Sequence, residues 1–204
     1  MATRPIYLAS KSPRLHELLR QLGVEFAELR LREAPGRSRD VVEKVRAKES
    51  PTSYVRRIAK AKASVGWHWM QIRGLPPRPV LGADTEVVLD DTLFGKPADA
   101  ADAVRMLGLL AGRTHQVITT IALRWEDQSI VTVSTSAVTM RALDASEIER
   151  YVATGEPFDK AGAYAIQGMA AAFVARIEGT YSGVMGLPLY ETADALARIG
   201  FPVL

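Results

Sequence analysis

The chain has 204 residues, of which 48% are hydrophobic and 24% are charged, and none is cysteine. This size and balance are typical of one globular domain, and the absence of cysteine excludes disulfides and thiolate metal sites. No apolar run of about 18 residues and no charged-then-apolar leader occurs, so we expect a cytoplasmic protein without a membrane span or membrane partner.

The net charge of +3 is unevenly distributed. Eleven basic and four acidic residues lie between Arg30 and Lys62, whereas four basic and eight acidic residues lie between Asp144 and the last residue. A basic segment can contact nucleic acid or nucleotide phosphates, or it can be a solvated face. Because neither a nucleic-acid motif nor interleaved aromatic residues accompany the charges, we favour the solvated face and expect no nucleic-acid partner.

The first predicted elements are a strand, a helix and a second strand. Residues 6–9 are a short apolar run typical of a buried strand. Ser12 and Pro13 are a fitting N-cap and first helical residue, and leucines then recur at helical spacing as far as Gly23. Residues 24–31 predict the second strand.

Residues 34–50 are polar and charged, and they predict a flexible loop. A helix is predicted over residues 52–65, with Val55 and Ile58 on its apolar stripe. Lys62 occupies the next position on that stripe. A lysine on an inward stripe either extends its charged end to the surface or points into a cleft.

One strand of the next hairpin contains an anomalous residue. Residues 80–89 read as a half-buried strand that turns near Asp90 and returns through residues 92–94. Asp84 lies inside this strand, although aspartate is a poor strand former and is rarely buried without a partner. The pattern alone gives Asp84 no structural role.

The rest of the pattern completes a single domain with an α/β (α+β mixed) fold, in which helices flank a mixed, twisted sheet. Asp144 and Glu147 predict a capping box at one of its helices. The further predicted elements are a helix from Asp99 to a stop at Gly112, a long hairpin of residues 114–125 and 129–140, a short helix ending at Gly155, a strand over residues 171–177 and a final helix over residues 189–199.

Three turns carry residues suited to phosphate or metal chemistry, and each has an ordinary alternative. In residues 10–14, a helix start and Arg14 could bind an anion, unless Ser12 is only a cap. The Gly-Lys-Pro turn at Lys96 could equally be a surface turn. Residues 156–162 hold two acids and a lysine, which could bind a divalent cation or form a solvated loop. No phosphate loop ending in Lys-Ser/Thr, no Gly-x-Ser-x-Gly elbow and no metal-ligand spacing of the histidines occur.

Taken in chain order, these segments resemble the Maf family over nearly the whole sequence. The motifs are Leu-Ala-Ser-Lys-Ser-Pro-Arg at 8–14, Gly-Ala-Asp-Thr at 82–85, Gly-Lys-Pro at 95–97, Gly-Arg-Thr-His at 112–115, Glu-Pro-Phe-Asp-Lys-Ala-Gly-Ala-Tyr-Ala-Ile-Gln-Gly at 156–168, Ile-Glu-Gly-Thr-Tyr at 177–181 and Val-Met-Gly-Leu-Pro-Leu at 184–189.

The resemblance implies a fold related to the inosine triphosphatases, with two lobes around a central cleft in one domain of residues 1–204. It also implies a nucleoside triphosphate pyrophosphatase that uses a divalent cation, Mg²⁺ or Mn²⁺, and leaves the nucleoside monophosphate. The motifs are similar to the branch that acts on dTTP, UTP and modified pyrimidine triphosphates. A homodimer would be usual for the family.

The resemblance also implies roles for individual residues. Asp84 is the proton acceptor, and the positions that discriminate the substrate are Arg14, Thr85 and Gln167. Ser10 is a substrate-binding position, and the phosphate-side lysines are Lys62, Lys96 and Lys160. Candidates for the metal side are Glu33, Asp84 and Asp159.

The chain departs from the family pattern in several places. Leu15 stands where a second arginine is common, Arg32-Glu33 stands for an Asp-Glu pair, and Gly183 stands where asparagine is frequent. The first two of these departures support an alternative function, a nucleotide-binding regulatory protein linked to septum formation with weak or no hydrolysis. A basic RNA-associated module is the least favoured alternative.

Overall fold

A computed structural model describes residues 5–32 and 40–203 of the chain. The strands are β1 (Ile6–Leu8), β2 (Phe26–Glu28), β3 (Val80–Leu89), β4 (Thr92–Phe94), β5 (Thr114–Trp125), β6 (Gln128–Met140) and β7 (Val174–Glu178). The helices are α1 (Pro13–Gln21), α2 (Pro51–Ile72), α3 (Ala100–Leu110), α4 (Ala145–Ala153), α5 (Tyr181–Met185) and α6 (Leu189–Arg198). None of these helices is long and apolar enough to cross a bilayer.

The strands form one seven-stranded sheet with the order β2-β1-β3-β5-β6-β7, and β4 pairs with β3 outside this path. β1 pairs in parallel with β2 and β3, and the other pairs are antiparallel. α2 packs on one face of the sheet, while the largest apolar cluster joins the other face to residues of α1, α3, α4 and α6. This arrangement confirms the predicted α/β class with a mixed sheet and flanking helices.

The sheet is split beside the middle of β3. β5 runs along one edge of β3 from Val80 to Val88. On the other edge, β1 pairs with Val80 and Leu81, and β4 pairs with residues 87–89. Residues 82–86 therefore have a strand neighbour on one side, and the gap on their other side opens a cleft that reaches both faces of the sheet.

Most predicted elements are confirmed in type, but several ends differ. The strand predicted over 24–31 is limited to β2, because its partner β1 has three residues. The helix predicted over 52–65 continues to the end of α2, because Met70 extends its buried stripe. The strand predicted over 171–177 begins later, at β7, because Met169–Phe173 form a 3-10 turn. Neither this turn nor α5 was predicted.

Gly82 allows α2 to lie directly against β3. A Cβ atom at this position would lie 2.6 Å from the Ala59 carbonyl oxygen and 2.6 Å from the Ala63 nitrogen, both in the backbone of α2. We therefore expect Gly82→Ala to displace α2 and to lower the free energy of unfolding by about 1–3 kcal/mol, the usual range for overpacking. Urea denaturation measures this change. Gly108→Ala is the control, because no heavy atom lies within 4 Å of its added Cβ, and equal stability of the two variants would contradict the prediction.

Candidate active site

A cleft with a cavity volume of about 400 Å³ opens beside residues 82–86. Every site residue predicted from the sequence lines this cleft except Glu33, which lies outside the described residues. The lining members are Ser10, Arg14, Lys62, Asp84, Thr85, Lys96, Asp159, Lys160 and Gln167. Side chains from widely separated motifs therefore meet in one place.

Asp84 and Lys62 form a close ion pair inside the cleft. Lys62 Nζ donates a hydrogen bond to Asp84 Oδ1 at 2.8 Å, and it lies 2.8 Å from Glu43 Oε1. The Lys62 and Asp84 side chains are 19% and 11% exposed, so this lysine points into the cleft. Asp84 Oδ2 is buried and accepts no hydrogen bond from the described residues. It is therefore free to accept one from a ligand or a water molecule.

Burial changes the acid–base properties of this pair. It raises the pKa of the Asp84 carboxyl, and the Lys62 ammonium offsets part of that effect. Burial by itself would lower the pKa of Lys62, but the Asp84 and Glu43 carboxylates raise it above its usual value. Lys62 therefore keeps its charge at neutral pH, and Asp84 is a stronger base than an exposed aspartate.

Glu86 is a candidate functional residue that the sequence analysis missed. It follows Asp84 by two positions on β3, so both carboxyl groups leave the same face of the sheet. Its Oε2 atom is buried and has no hydrogen-bond partner in the described ranges. Burial, together with the charges of Asp84 and Glu43, raises the pKa of Glu86 to about 8. At neutral pH, Glu86 is therefore largely protonated and can donate a hydrogen bond.

Glu43 was also missed, because it lies where the sequence has no regular period. Residues 40–50, the described part of the predicted loop 34–50, contain neither helix nor strand. They nevertheless bring Glu43 onto Lys62, with the Glu43 side chain 46% exposed at the mouth of the cleft. Glu43 thus supplies a further acidic group beside Lys62 and Asp84, where the sequence analysis suggested Glu33 as an acidic candidate.

A second charged group consists of Arg14, Asp159 and Lys160. Arg14 is half-buried in the first turn of α1. Burial lowers the pKa of its guanidinium, and the nearby Asp159 carboxylate works against that effect. Burial and the charge of Arg14 likewise lower the pKa of the Lys160 ammonium. Arg14 and Lys160 repel each other in a cleft that is partly shielded from water, so an anion bound between them would be stabilised.

The start of α1 differs from the prediction in one detail. Ser12 occupies the N-cap position, but its side chain makes no capping hydrogen bond. Its Oγ atom is buried without a partner in the described part of the chain, and Ser12 lines the cleft. The predicted N-cap position of Ser12 is therefore confirmed, while its hydroxyl makes no capping bond and is available to a bound anion.

Thr85 belongs to a chain of hydrogen bonds on the other face of β3. Thr119 Oγ1 donates to the Gly183 carbonyl at 2.7 Å. Because that bond uses the one hydroxyl proton of Thr119, Thr85 Oγ1 donates to Thr119 Oγ1 at 2.8 Å. The chain fixes the orientation of Thr85 beside the cleft.

Two of the departures from the family pattern have a packing explanation. Leu15 is 6% exposed and belongs to the main apolar cluster, so it adds packing and no phosphate donor. A Cβ atom at Gly183 would lie 2.5 Å from Thr180 Oγ1. Thr180 caps α5 by accepting a hydrogen bond from the Gly183 nitrogen at 3.1 Å. Glycine therefore suits the tight start of α5.

Glu156 has a structural role. Its carboxylate accepts hydrogen bonds from the Tyr151 hydroxyl at 2.9 Å and from the Met169 and Ala170 nitrogens at 2.9 and 3.3 Å. These bonds hold together the loop that carries Asp159 and Lys160 of the second charged group. Of the two acids in residues 156–162, Asp159 is the one that lines the cleft.

The cleft carboxylates fit a hard divalent cation that phosphate groups also bind. Within residues 5–32 and 40–203, no three or more metal-binding side chains are arranged to hold a cation. Mg²⁺, however, is usually bound by one or two carboxylates together with substrate phosphates. Asp84 Oδ2, which has no partner in the described structure, and the adjacent Glu43 carboxylate meet this requirement.

Comparison with known proteins shows which family this chain resembles over nearly its whole length. The model of a family described as Maf-like protein matches residues 5–199. A Nitrosomonas europaea protein named dTTP/UTP pyrophosphatase is 50% identical over 198 residues, which cover 97% of this chain and 96% of that protein. A Nitrosospira multiformis protein of the same name is 52% identical over 191 residues, which cover 94% and 92%. Among solved structures, the Staphylococcus aureus Ham1 protein covers 67% of this chain and 72% of its own, with a TM-score of 0.44 and 16% identity.

Proposed function

Because the chain belongs to the Maf family, we propose that it is a nucleoside triphosphate pyrophosphatase that acts on dTTP and UTP. The names of its relatives and their near-complete overlap with this chain support the substrate class. The observation that carries the proposal is Asp84, a buried carboxylate that is paired with Lys62 through one oxygen and unpartnered, in the described structure, at the other. A cytoplasmic location and a homodimer remain predictions from the sequence.

We assign Asp84 the role of general base. Its Oδ2 atom accepts a proton from the attacking water, while Lys62 holds Oδ1 and keeps the carboxylate ionised before that step. The water oxygen forms a new bond to the α-phosphorus, the bond from the α-phosphorus to the oxygen that bridges it to the β-phosphorus breaks, and pyrophosphate leaves with that oxygen while the nucleoside monophosphate remains. A base with a raised pKa is better matched to neutral pH than an ordinary aspartate, because the proton transfer is then less uphill.

The cations of the cleft bind the triphosphate and offset the charge of the departing pyrophosphate. The residues assigned to this role are Lys62, Lys96, Lys160 and Arg14, with the hydroxyl groups of Ser10 and Ser12 as further donors. Arg14, Thr85 and Gln167 are proposed to discriminate the substrate. The fixed orientation of Thr85 supports such a role, since a site that reads a base needs donors and acceptors that do not turn freely.

We further propose that Asp84 and Glu43 hold a divalent cation, Mg²⁺ or Mn²⁺, together with phosphate oxygens, and that Asp159 is a second candidate ligand. When bound, such a cation lowers the pKa of a coordinated water and offsets phosphate charge. Because Asp84 Oδ2 is the proposed proton acceptor and Oδ1 binds Lys62, Asp84 would act on the cation through its negative charge, and Glu43 and Asp159 would be the direct carboxylate ligands.

The test is a pyrophosphate-release assay with dTTP, UTP and GTP, each with Mg²⁺, with Mn²⁺ or with excess EDTA. We expect dTTP and UTP to be converted to pyrophosphate and the nucleoside monophosphate. The rate of pyrophosphate release is expected to be at least about 10-fold higher than with GTP. Removal of the metal by EDTA is expected to reduce turnover to background, because the cleft then lacks the charge that neutralises the triphosphate.

The other results would each correct a different part of the proposal. Release of orthophosphate, or a preference for GTP, would contradict the reaction or the substrate class. Full turnover in EDTA would contradict the metal. Tight nucleotide binding without turnover would instead favour the nucleotide-binding regulatory protein, an alternative that the missing donor at Leu15 supports.

A further inference from the structure

Residues 40–50, which we call the strap, lead to the start of α2 and carry Glu43 into the cleft. The strap buries little apolar surface: the Val42 and Val45 side chains are 65% and 47% exposed, and Val41 packs only partly buried against the apolar cluster that includes Tyr54 and Ile58 of α2. Segments with few buried apolar contacts open readily unless polar contacts hold them. The strap has such contacts at both ends, on either side of Glu43.

The first anchor is Asp40, whose side chain is only 4% exposed. Asp40 Oδ1 accepts a hydrogen bond from Arg32 Nε at 2.9 Å. Asp40 Oδ2 accepts two, from the Arg32 nitrogen and from Trp69 Nε1 on α2, both at 2.7 Å. Two guanidinium groups lie against the Trp69 ring, those of Arg32 at 4.6 Å and Arg73 at 5.0 Å from its centroid. These contacts join the start of the strap to α2.

The second anchor is Glu49, whose side chain is 9% exposed. Its two carboxylate oxygens accept a bidentate pair of hydrogen bonds from Arg57 Nε and Nη2 of α2, at 2.6 and 2.7 Å. Arg57 Nη2 also donates to the Lys44 carbonyl at 2.9 Å. Because Lys44 is next to Glu43, this second anchor fixes the backbone directly beside the cleft carboxylate.

We propose that Asp40 and Glu49 are positioning residues, which anchor the two ends of the strap and thereby hold Glu43 on Lys62 in the cleft. Neither residue lines the cleft, so each acts through Glu43. The inference rests on the proposed function, since the position of Glu43 matters for catalysis only if the cleft binds a cation and a triphosphate. The anchors themselves can be tested without turnover.

The first experiment is limited proteolysis with trypsin of native wild-type protein and the Asp40→Asn variant. Lys44, Arg46 and Lys48 are exposed cleavage sites within the strap. Asparagine turns one acceptor of the anchor into an N–H donor that faces other donors, so we expect cleavage in the strap to become about 10-fold faster, the effect of losing one hydrogen bond to a charged group. Trp69→Phe is a milder second variant, since it removes the indole N–H and keeps an aromatic ring.

The matched control is Asp90→Asn, which breaks an exposed ion pair with Arg113 far along the chain from the strap. It is expected to leave the cleavage rate after Lys44, Arg46 and Lys48 unchanged. If Asp40→Asn and Trp69→Phe both left that rate unchanged, Asp40 would not be an anchor and the proposal would be overturned. This result does not depend on whether the protein hydrolyses nucleotides.

The second experiment measures the Mg²⁺ concentration that gives half-maximal pyrophosphate release. We expect Asp40→Asn and Glu49→Gln each to raise it about 10-fold, as the loss of a partner of a metal ligand does, with little change in kcat at saturating Mg²⁺. In the Glu43→Gln background, the same substitutions are expected to have no further effect, because they act through the same side chain. A full additional effect in that background would overturn the role of Glu43. Absence of turnover in the wild type would contradict the proposed function and leave the proteolysis result standing.

Discussion

Replacing Asp84 with asparagine is expected to slow pyrophosphate release by about 10²–10⁴-fold, the usual effect of losing a general base. The variant is expected to fold, because asparagine has nearly the same volume and its carbonyl oxygen can accept the hydrogen bond from Lys62. It cannot take up the proton of the attacking water. The measurement is the initial rate of pyrophosphate release from dTTP at saturating metal, with circular dichroism to verify the fold.

Asp91→Asn provides a control for the loss of one carboxylate from the same hairpin. Asp91 is exposed in the turn after β3, so this variant is expected to retain the wild-type rate. A wild-type rate for Asp84→Asn would rule out Asp84 as the base. Equal losses in both variants would indicate a general effect of charge and would point to the same conclusion.

The topology explains why an acid is tolerated at this point of a strand. Asp84 lies in the part of β3 that has β5 on one edge and the cleft on the other. Its side chain points toward α2, where Lys62 supplies a cation at 2.8 Å. Asp84 therefore places a charge in β3 without breaking the strand, since the pairing with β5 continues through Asp84 and Thr120.

Local patterns in the sequence predicted the elements that have a strong period. The inward position of Lys62 on α2 followed from helical spacing alone, and the structure confirms that it points into the cleft. The hairpin of β5 and β6 followed from alternation. The sequence pattern showed that Asp84 is unusual in a strand, but only the family resemblance gave it a role. A local pattern does not show that β1 stops pairing after Leu81 and so leaves an open cleft beside Asp84.

The residues that were missed depend on long-range contacts. Glu43 reaches the cleft because Asp40 and Glu49 bind side chains of α2 that lie far from it in sequence. An irregular segment has no period from which such a contact can be predicted. Glu86 could have been found, since its separation of two positions from Asp84 places both acids on one face, but an exposed strand face would have explained it equally well.

His115 is expected to make the protein less stable in mild acid. Its side chain is 2% exposed, and its Nε2 atom lies 2.9 Å from the Tyr164 hydroxyl of the cleft. Burial lowers the pKa of His115 from 6.5 to about 4. Between pH 6.5 and pH 4 the His115 imidazole is protonated in the unfolded chain but neutral in the folded protein. The free energy of unfolding therefore falls as the pH decreases from 6.5 to 4. The total loss is about 3 kcal/mol, since one pKa unit corresponds to roughly 1.4 kcal/mol.

The measurement is the free energy of unfolding by urea at several pH values, for wild type and for His115→Gln, which can still bond the Tyr164 hydroxyl but does not titrate. The two proteins must be compared by the difference between their free energies of unfolding, because Glu86 changes stability in the opposite direction. The pKa of Glu86 is raised to about 8 in the folded protein, so Glu86 lowers the free energy of unfolding as the pH rises from 4.5 to 8. Glu86 is present in both proteins and cancels. We expect the difference to be constant above pH 6.5 and to shift against the wild type by about 3 kcal/mol as the pH falls to 4. If the difference stayed flat from pH 6.5 to 4, the buried His115 imidazole would bind its proton in the folded protein as readily as in the unfolded chain, which would contradict the prediction.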